Sequence, residues 1–444
     1  MGVIMQSFFW DCPRVDNKEF QWWNHVRGQV PALAKAGFTS LWLPPVHKAA
    51  NLGGPSMGYD PYDYYDLGEF DQKGSVPTWF GTRAELSQLI ETAHSHRLGV
   101  IADTVFNHNS GADAQEVNPI TGQSRWTLFN PKSGRFPRNW ECFHPNKYES
   151  WDEMTFGDMP DLSHRNPYVF DELLDLARWL IEEIGFDGFR YDFVKGFGAA
   201  TIQAIQEYRY TRNGEYFAPY GVAEYWDSTS NTLKWVDTAN FSNSNPVDAF
   251  DFPLREMLKG LCDQYGFSLK NLITWESILQ KQPLSTVTFV ENHDLRDDGR
   301  PIVNEKLLAY SYILTHEGYP CVFWYDYFNL NLALSDTPTG IAALVSAHEK
   351  YAGGRTEVLY VDDNLYIMQR TGIADQPGLI YVLNNRGDNW NGRMVTTQWM
   401  NASFQPVAWW SKTDLARPIN QPTDRDGRAQ FYAPPRGYAV YAVK

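Results

Sequence analysis

The stretch GFRYDFVKG (Gly188–Gly196) follows a short apolar run, Ile184–Phe186, and gathers Arg190, Asp192 and Lys195 within six residues. An apolar run of this length bounded by glycine suits a buried strand. Burying an unpaired charge costs several kcal/mol or more, so charges collected at a strand end must be paired, used, or both. Side chains alternate along a strand, which puts Arg190 and Asp192 on one face and Phe189 and Tyr191 on the other.

Outward from that strand the same rhythm repeats. Val3–Trp10, Phe38–Leu43, Gly99–Val105, Tyr220–Glu224, Ala249–Phe252, Val287–Val290 and Cys321–Tyr325 also have the character of buried strands. Helical patterns lie between most of them, at Gln21–Ala36, Arg83–His96, Val169–Ile184 and Glu305–His316. Eight strands alternating with helices predict an α/β protein built on a (β/α)8 TIM barrel. Two segments break the rhythm. Residues 109–161 are rich in Gly, Pro and Asn with little period, and predict a subdomain inserted after the third strand. From 351 to 444, strand-like runs and turns such as RGDNWNG and DRDG predict an antiparallel β-sandwich domain. The barrel itself is then expected over 1–108 and 162–350.

Composition narrows the partners. The net charge of −15 lacks the basic footprint that nucleic acid or an anionic membrane surface requires. No apolar run approaches the ~20 residues of a membrane span, and MGVIMQSFFW lacks the basic and long apolar regions of a secretory signal. Aromatics make up 15% of the chain, with 17 Trp and 25 Tyr, enough for a large aromatic core and for faces that stack on sugar rings. The four cysteines are far apart and form neither a metal pair nor a disulfide framework.

In a parallel barrel, catalytic groups sit at the C-terminal ends of several strands. The third strand ends in DTVFNH with Asp103, Asn107 and His108, and the fourth in Arg190, Asp192 and Lys195. The fifth, GVAEYW, carries Glu224, and the seventh, FVENHD, carries Asn292, His293 and Asp294. One such end alone is an ion pair capping a strand; four together supply two histidines, an arginine and the paired carboxylates that cleave a glycosidic bond. Arg190 would keep Asp192 ionised, while Glu224, beside Tyr225 and Trp226, is where desolvation and a neighbouring carboxylate would suit a proton donor.

In that order and spacing, DTVFNH, GFRYDFVKG, GVAEYW and FVENHD resemble the four sequence regions of the α-amylase family, glycoside hydrolase family 13. The stretches SMGYDPYDYYDLGEF, QKGSVPTWFG and AFDFPL resemble the archaeal and plant-type members in particular. The resemblance implies an endo-acting retaining hydrolase of internal α-1,4 bonds in starch, glycogen and malto-oligosaccharides. Asp192 would be the nucleophile, Glu224 the general acid/base and Asp294 the stabilising carboxylate, with Asp192 and Glu224 about 5–5.5 Å apart. His108, His293, Arg190, Lys195, Trp226 and the stacking Tyr59 would bind substrate, and Asp103 would be a structural partner. The resemblance also implies bound Ca2+, held by Asn107, Asp152 and Asp161 with the carbonyls of Met154 and Gly196, an all-oxygen set that suits this ion. Chloride activation is not expected, because Pro301–Gly354 contains no arginine for the third position of that site.

Three motifs mislead. GPSMG (Gly54–Gly58) fits G-x-S-x-G but has no strand before it and no helix after it, and HEGYP and HEKYA lack the second histidine of a zinc protease. Two rival readings remain, a relative acting on short or branched oligosaccharides or transglycosylating, and a non-catalytic starch-binding protein. All three acids are present, which disfavours the latter. The tryptophans Trp390, Trp399, Trp409 and Trp410 suit a β core better than a sugar platform. A monomer is expected. Because a polymer cannot cross a membrane, an extracellular setting is expected over a cytoplasmic one.

Overall fold

The structure, a computed structural model, describes residues 2–51, 57–150, 154–212 and 214–444. Asp152 and most of the GPSMG segment lie outside the described residues.

Eight strands form a closed barrel: β1 (Ile4–Gln6), β2 (Ser40–Leu43), β3 (Gly99–Thr104), β4 (Gly188–Tyr191), β5 (Tyr220–Ala223), β6 (Asp248–Phe250), β7 (Thr286–Phe289) and β8 (Tyr319–Phe323). They follow one another round the ring in chain order, and β1 pairs in parallel with β8, Ile4 opposite Cys321. Strands β4 and β7 are buried along their whole length, as strands covered on both faces must be, including Arg190 in β4 and Thr288 in β7. The eight longer helices are α1 (Trp22–Ala36), α2 (Arg83–Ser95), α3 (Pro167–Trp179), α4 (Ala200–Gln206), α5 (Thr229–Ala239), α6 (Phe252–Asp263), α7 (Lys306–Ile313) and α8 (Ile341–Tyr351), one after each strand.

Local chemistry sets their ends. Thr82 and Glu85 form a reciprocal cap at the start of α2, the Thr82 hydroxyl accepting from the Glu85 N–H and the Glu85 carboxylate accepting from the Thr82 N–H. Gly37, at φ +109°, stops α1 in a conformation that costs other residues more. Beyond α3 the predicted helix continues as a wider turn, Leu180–Ile184, before Gly185 at φ +101° releases the chain into β4. The predicted start of the seventh helix at Glu305 falls one residue early. Glu305 stands at φ 42°, and its carboxylate is held by Arg436 at 2.9 Å.

The chain divides into two compact units. The first comprises residues 1–6, 33–39 and 251–444, with β1, β7, β8 and the C-terminal strands; the second comprises 7–32 and 40–250. In the first, the strands β9 (Thr356–Val361), β10 (Leu365–Arg370), β11 (Leu379–Asn384), β12 (Asn391–Thr396), β13 (Ser403–Ser411), β14 (Gln421–Pro422), β15 (Arg428–Ala433) and β16 (Gly437–Val443) are antiparallel. Six form one sheet in the order β9-β10-β11-β16-β13-β14, and β12 pairs with β15. Ile367, Val382, Phe404, Phe431 and Tyr441 fill the core between them, with Phe431 edge-on to Phe404 at 5.3 Å and to Tyr441 at 5.2 Å. Each such ring contributes about 1.5–3 kcal/mol of burial. Trp409, 8% exposed, belongs to this core, and Trp399 packs against it. In the second unit, the inserted segment contains a hairpin, Ala114–Val117 with Ser124–Leu128, that its irregular sequence does not announce.

Candidate active site

In the second unit, three adjacent strands build one cluster. Asp103 on β3 pairs in register with Arg190 on β4, and Arg190 with Val222 on β5. The Ala223–Tyr191 pairing then sets Glu224 beside Asp192, and the Glu224 N–H donates to the Tyr191 carbonyl at 2.9 Å. Register thus determines what Arg190 meets. Its Nη1 donates to Asp103 Oδ1 at 2.8 Å and to Asp192 Oδ1 at 2.7 Å, and its Nη2 lies 2.9 Å from Glu224 Oε2. The guanidinium therefore reaches three carboxylates, where the sequence suggested Asp192 alone.

Exposure separates their parts. The Asp103 side chain is 0% exposed, whereas those of Asp192 and Glu224 are 11% and 12% exposed and open to a ligand. Burial pulls the Arg190 guanidinium towards neutrality, but Asp103, Glu224 and Asp192 outweigh it and hold the charge more firmly than in water. Burial pushes the Asp103 carboxyl up, with Arg190 the foremost opposing influence. Asp103 Oδ2 also accepts from the Tyr59 hydroxyl at 2.7 Å and from Trp42 Nε1 at 3.1 Å. Phe193, directly after Asp192, adopts φ 44°, ψ 47°, which non-glycine residues rarely hold. In that conformation its N–H donates to Glu224 Oε2 at 3.0 Å. A strained residue thereby ties the loop after one acid to the other acid.

Around this cluster the predicted substrate residues take definite partners. His108 Nε2 donates to the Tyr59 carbonyl at 2.9 Å, which fixes the protonated nitrogen because a carbonyl only accepts. Its ring is stacked under Phe156 at 4.6 Å, and burial holds its pKa at about 4, so the imidazole stays neutral near pH 7. Lys195 Nζ donates to Asp227 at 2.7 Å and to the carbonyl of Trp226 at 3.2 Å. Lys195, Asn231 and the Ser228 N–H together hold Asp227 well below the usual carboxylate range. The sequence reading did not name Asp227, Phe156 or Trp42. Asp227 was visible as the acid just ahead of the Ser228 cap of α5, but Phe156 and Trp42 carry no local signal.

The proposed metal ligands meet a direct test. Asn107 is fully buried, and its Oδ1 has no hydrogen-bond partner among the described residues. A Cβ placed on Gly196 would lie 1.9 Å from that oxygen and 2.9 Å from the Met154 carbonyl oxygen. The glycine therefore faces two converging oxygens that a side chain would displace. Asp161 is 1% exposed; it bridges to His108, and its carbonyl accepts from the His144 N–H at 2.9 Å. A buried, unpartnered amide oxygen on Asn107, with a carbonyl and a carboxylate residue close by in the fold, fits a hard cation such as Ca2+. Among the described residues no group of three or more His, Cys, Asp and Glu could hold a metal; of the two carboxylates in the set, Asp152 lies outside the described residues.

In the first unit, β7 leads into Glu291–Asp294. Asn292 caps the short helix His293–Asp297, its Oδ1 accepting from the Leu295 N–H at 2.9 Å. Gln6 Nε2 donates to His293 Nδ1 at 2.9 Å, leaving the proton on Nε2, which lies 3.4 Å from Asp294 Oδ2. The Asp294 side chain is 30% exposed. Glu291, buried just past the end of β7, is bound by Arg255 at 3.0 Å and Lys306 at 3.4 Å.

A family model described as "Alpha amylase, catalytic domain" matches residues 16–298. The chain is 31% identical to an α-amylase of Geobacillus stearothermophilus over 85% of this chain and 76% of that one. It is 27% identical to a cytoplasmic α-amylase of Escherichia coli over 100% of this chain and 99% of that one. A solved α-amylase structure from Malbranchea cinnamomea, 18% identical, shares the fold with a TM-score of 0.71 over 100% of this chain and 96% of that one. With four charged strand ends on a closed barrel and this likeness in sequence, the chain belongs to the α-amylase family of glycoside hydrolases.

Proposed function

We propose that the protein is an endo-acting retaining α-amylase that hydrolyses internal α-1,4 bonds of starch, glycogen and malto-oligosaccharides. The observation that carries this reading is the single guanidinium of Arg190 bonded to Asp192 and Glu224 at neighbouring strand ends. Asp192 attacks the anomeric carbon, and the C–O bond to the leaving sugar breaks as Glu224 passes its proton to that oxygen. Water, deprotonated by Glu224, then releases the glycosyl group from Asp192 with net retention. Asp294 stabilises the positive charge that develops on the ring. Arg190 and the Phe193 N–H keep both acids in place throughout, and Tyr59, His108, Lys195, Trp226 and His293 bind the chain of sugars.

Asn107, Asp161 and the carbonyls of Met154 and Gly196 would hold Ca2+, together with Asp152, which lies outside the described residues. The ion would fasten the inserted segment 109–161 beside His108 and takes no part in bond cleavage. Domain limits of 1–108 with 162–350, 109–161 and 351–444 accord with this organisation. A monomeric, extracellular enzyme suits a polymeric substrate, while the cytoplasmic name of the Escherichia coli relative keeps the other compartment open to test by cell fractionation. Among the described residues no helix is long and apolar enough to cross a membrane.

Time-resolved proton NMR on soluble starch tests the reaction. New α-anomeric ends appearing before mutarotation are expected. New β ends would overturn the roles of Asp192 and Glu224, and no new ends would favour a binding protein or a narrow-substrate relative.

A further inference from the structure

A hollow of about 880 Å³ opens within the first unit, among the end of α6, the turn before α7 and residues 385–388 after β11. Its volume falls in the range of about 300–1,000 Å³ that encloses small organic ligands. None of the proposed catalytic residues lines it.

Its carboxylates are all paired. Asp263 is bound by Lys259 at 2.7 Å, Glu305 by Arg436 at 2.9 Å with Lys412 3.9 Å away, and Asp388 lies 3.7 Å from Arg386. With every carboxylate facing at least one cation, the hollow leaves no carboxylate of its own free to draw in a cation. Arg436 is occupied further, donating to the carbonyls of Leu261 and Cys262. A neutral ligand suits this lining best.

The remaining groups say which neutral ligand. Tyr265 is 103% exposed on a turn beside Gly266, presenting a whole aromatic face to solvent. Exposed side-chain amides of Gln264 and Asn364 flank it, and Asn304 donates to Asp263 while its amide oxygen remains as an acceptor. An apolar face surrounded by planar groups that both donate and accept is the complement of a sugar ring, which has apolar C–H faces and a rim of hydroxyls. We propose that this hollow is an accessory binding site for a neutral oligosaccharide of the α-glucan class, stacked on Tyr265 and held by the side chains of Gln264, Asn304 and Asn364. The choice of α-glucan rests on the proposed function. Engaging a polymer there would raise the local concentration of its chain at the enzyme.

Two variants test the site by opposite means. Tyr265→Ala removes the stacking face. Gly387→Trp fills the hollow from a position where an added Cβ meets nothing within 4 Å. Adsorption to insoluble starch granules is measured beside hydrolysis of a soluble chromogenic maltoheptaoside, with melting temperature as the folding control. Adsorption about three- to tenfold weaker in both variants is expected, as for loss of one aromatic contact, with hydrolysis of the short substrate unchanged. Wild-type adsorption by either variant overturns the proposal, and so does a parallel fall in adsorption and short-substrate hydrolysis. Granule adsorption is read whether or not glucan is cleaved, so failure of the proposed reaction and failure of this site are distinguishable.

Discussion

Replacing Arg190 by Met removes the charge and the donors while roughly keeping the volume, so the loss is electrostatic. Breaking a buried ion pair from one side costs about 3–5 kcal/mol, because the remaining charge is stranded. Arg190 is 1% exposed and bonded to three carboxylates, the most enclosed of which, Asp103, is 0% exposed at its side chain. The full range therefore applies, against a total stability of about 5–15 kcal/mol for a folded domain. With a urea slope of about 2 kcal/mol per M, a loss of about 4 kcal/mol moves the unfolding midpoint down by about 2 M. Tryptophan fluorescence reads that midpoint. The sign of the pH dependence follows from Asp103, whose folded pKa burial already raises above its unfolded value of about 3.9. A raised carboxyl destabilises the fold above its folded pKa, and this cost fades as pH falls from the folded pKa to the unfolded value. Without Arg190 the window extends upward, so the variant's deficit should be larger at pH 8 than at pH 5. A midpoint shift below about 0.5 M, the size expected of an exposed pair, or an equal shift at both pH values would refute the reasoning.

Changing Asp192 to Asn should reduce kcat on soluble starch by roughly four orders of magnitude or more, while adsorption to starch survives; turnover near the wild-type rate would remove Asp192 from the nucleophile's role. Chelation of Ca2+ should lower the melting temperature, since a ligand bound only to the folded state stabilises it by mass action. Gly196→Ala, whose new Cβ would collide with Asn107 Oδ1, should abolish that response to added Ca2+. If calcium raises the melting temperature of Gly196→Ala as much as that of the wild type, the ligand set is wrong.

The barrel was legible in the sequence because short strand-like stretches around β4 and β7 recur between helical patterns, a rhythm that survives without knowledge of neighbours. What Arg190 touches was less legible. Its partners Asp103 and Glu224 arrive through registers between strands far apart in sequence, and only one of the three, Asp192, lies on the same strand end. Phe156 was hidden for a similar reason, since its place against the His108 and Phe193 rings depends on how an irregular loop returns. The hairpin inside 109–161 escaped notice because its strands, AQEV and SRWTL, are half-exposed and polar and lack the alternation that marks a sheet with one buried face. The seventh helix was extended at its start by propensity alone, which could not foresee that Glu305 is turned aside to meet Arg436.

The ring of strands closes only when Ile4 on β1 meets Cys321 on β8, and this has a consequence for how the chain is made. At about 5–20 residues per second, a ribosome delivers Cys321 roughly 15–60 s after Ile4. Through that interval the first strand has no partner on its β8 side, and nascent barrel strands expose hydrogen-bonding edges on which other chains could add. A pairing between such distant segments also carries a large loop-closure cost before it returns any stabilisation, so it belongs among the slow steps of folding. Yield from a cell should therefore depend on synthesis rate and chaperone supply more steeply than the stability of the finished barrel would suggest.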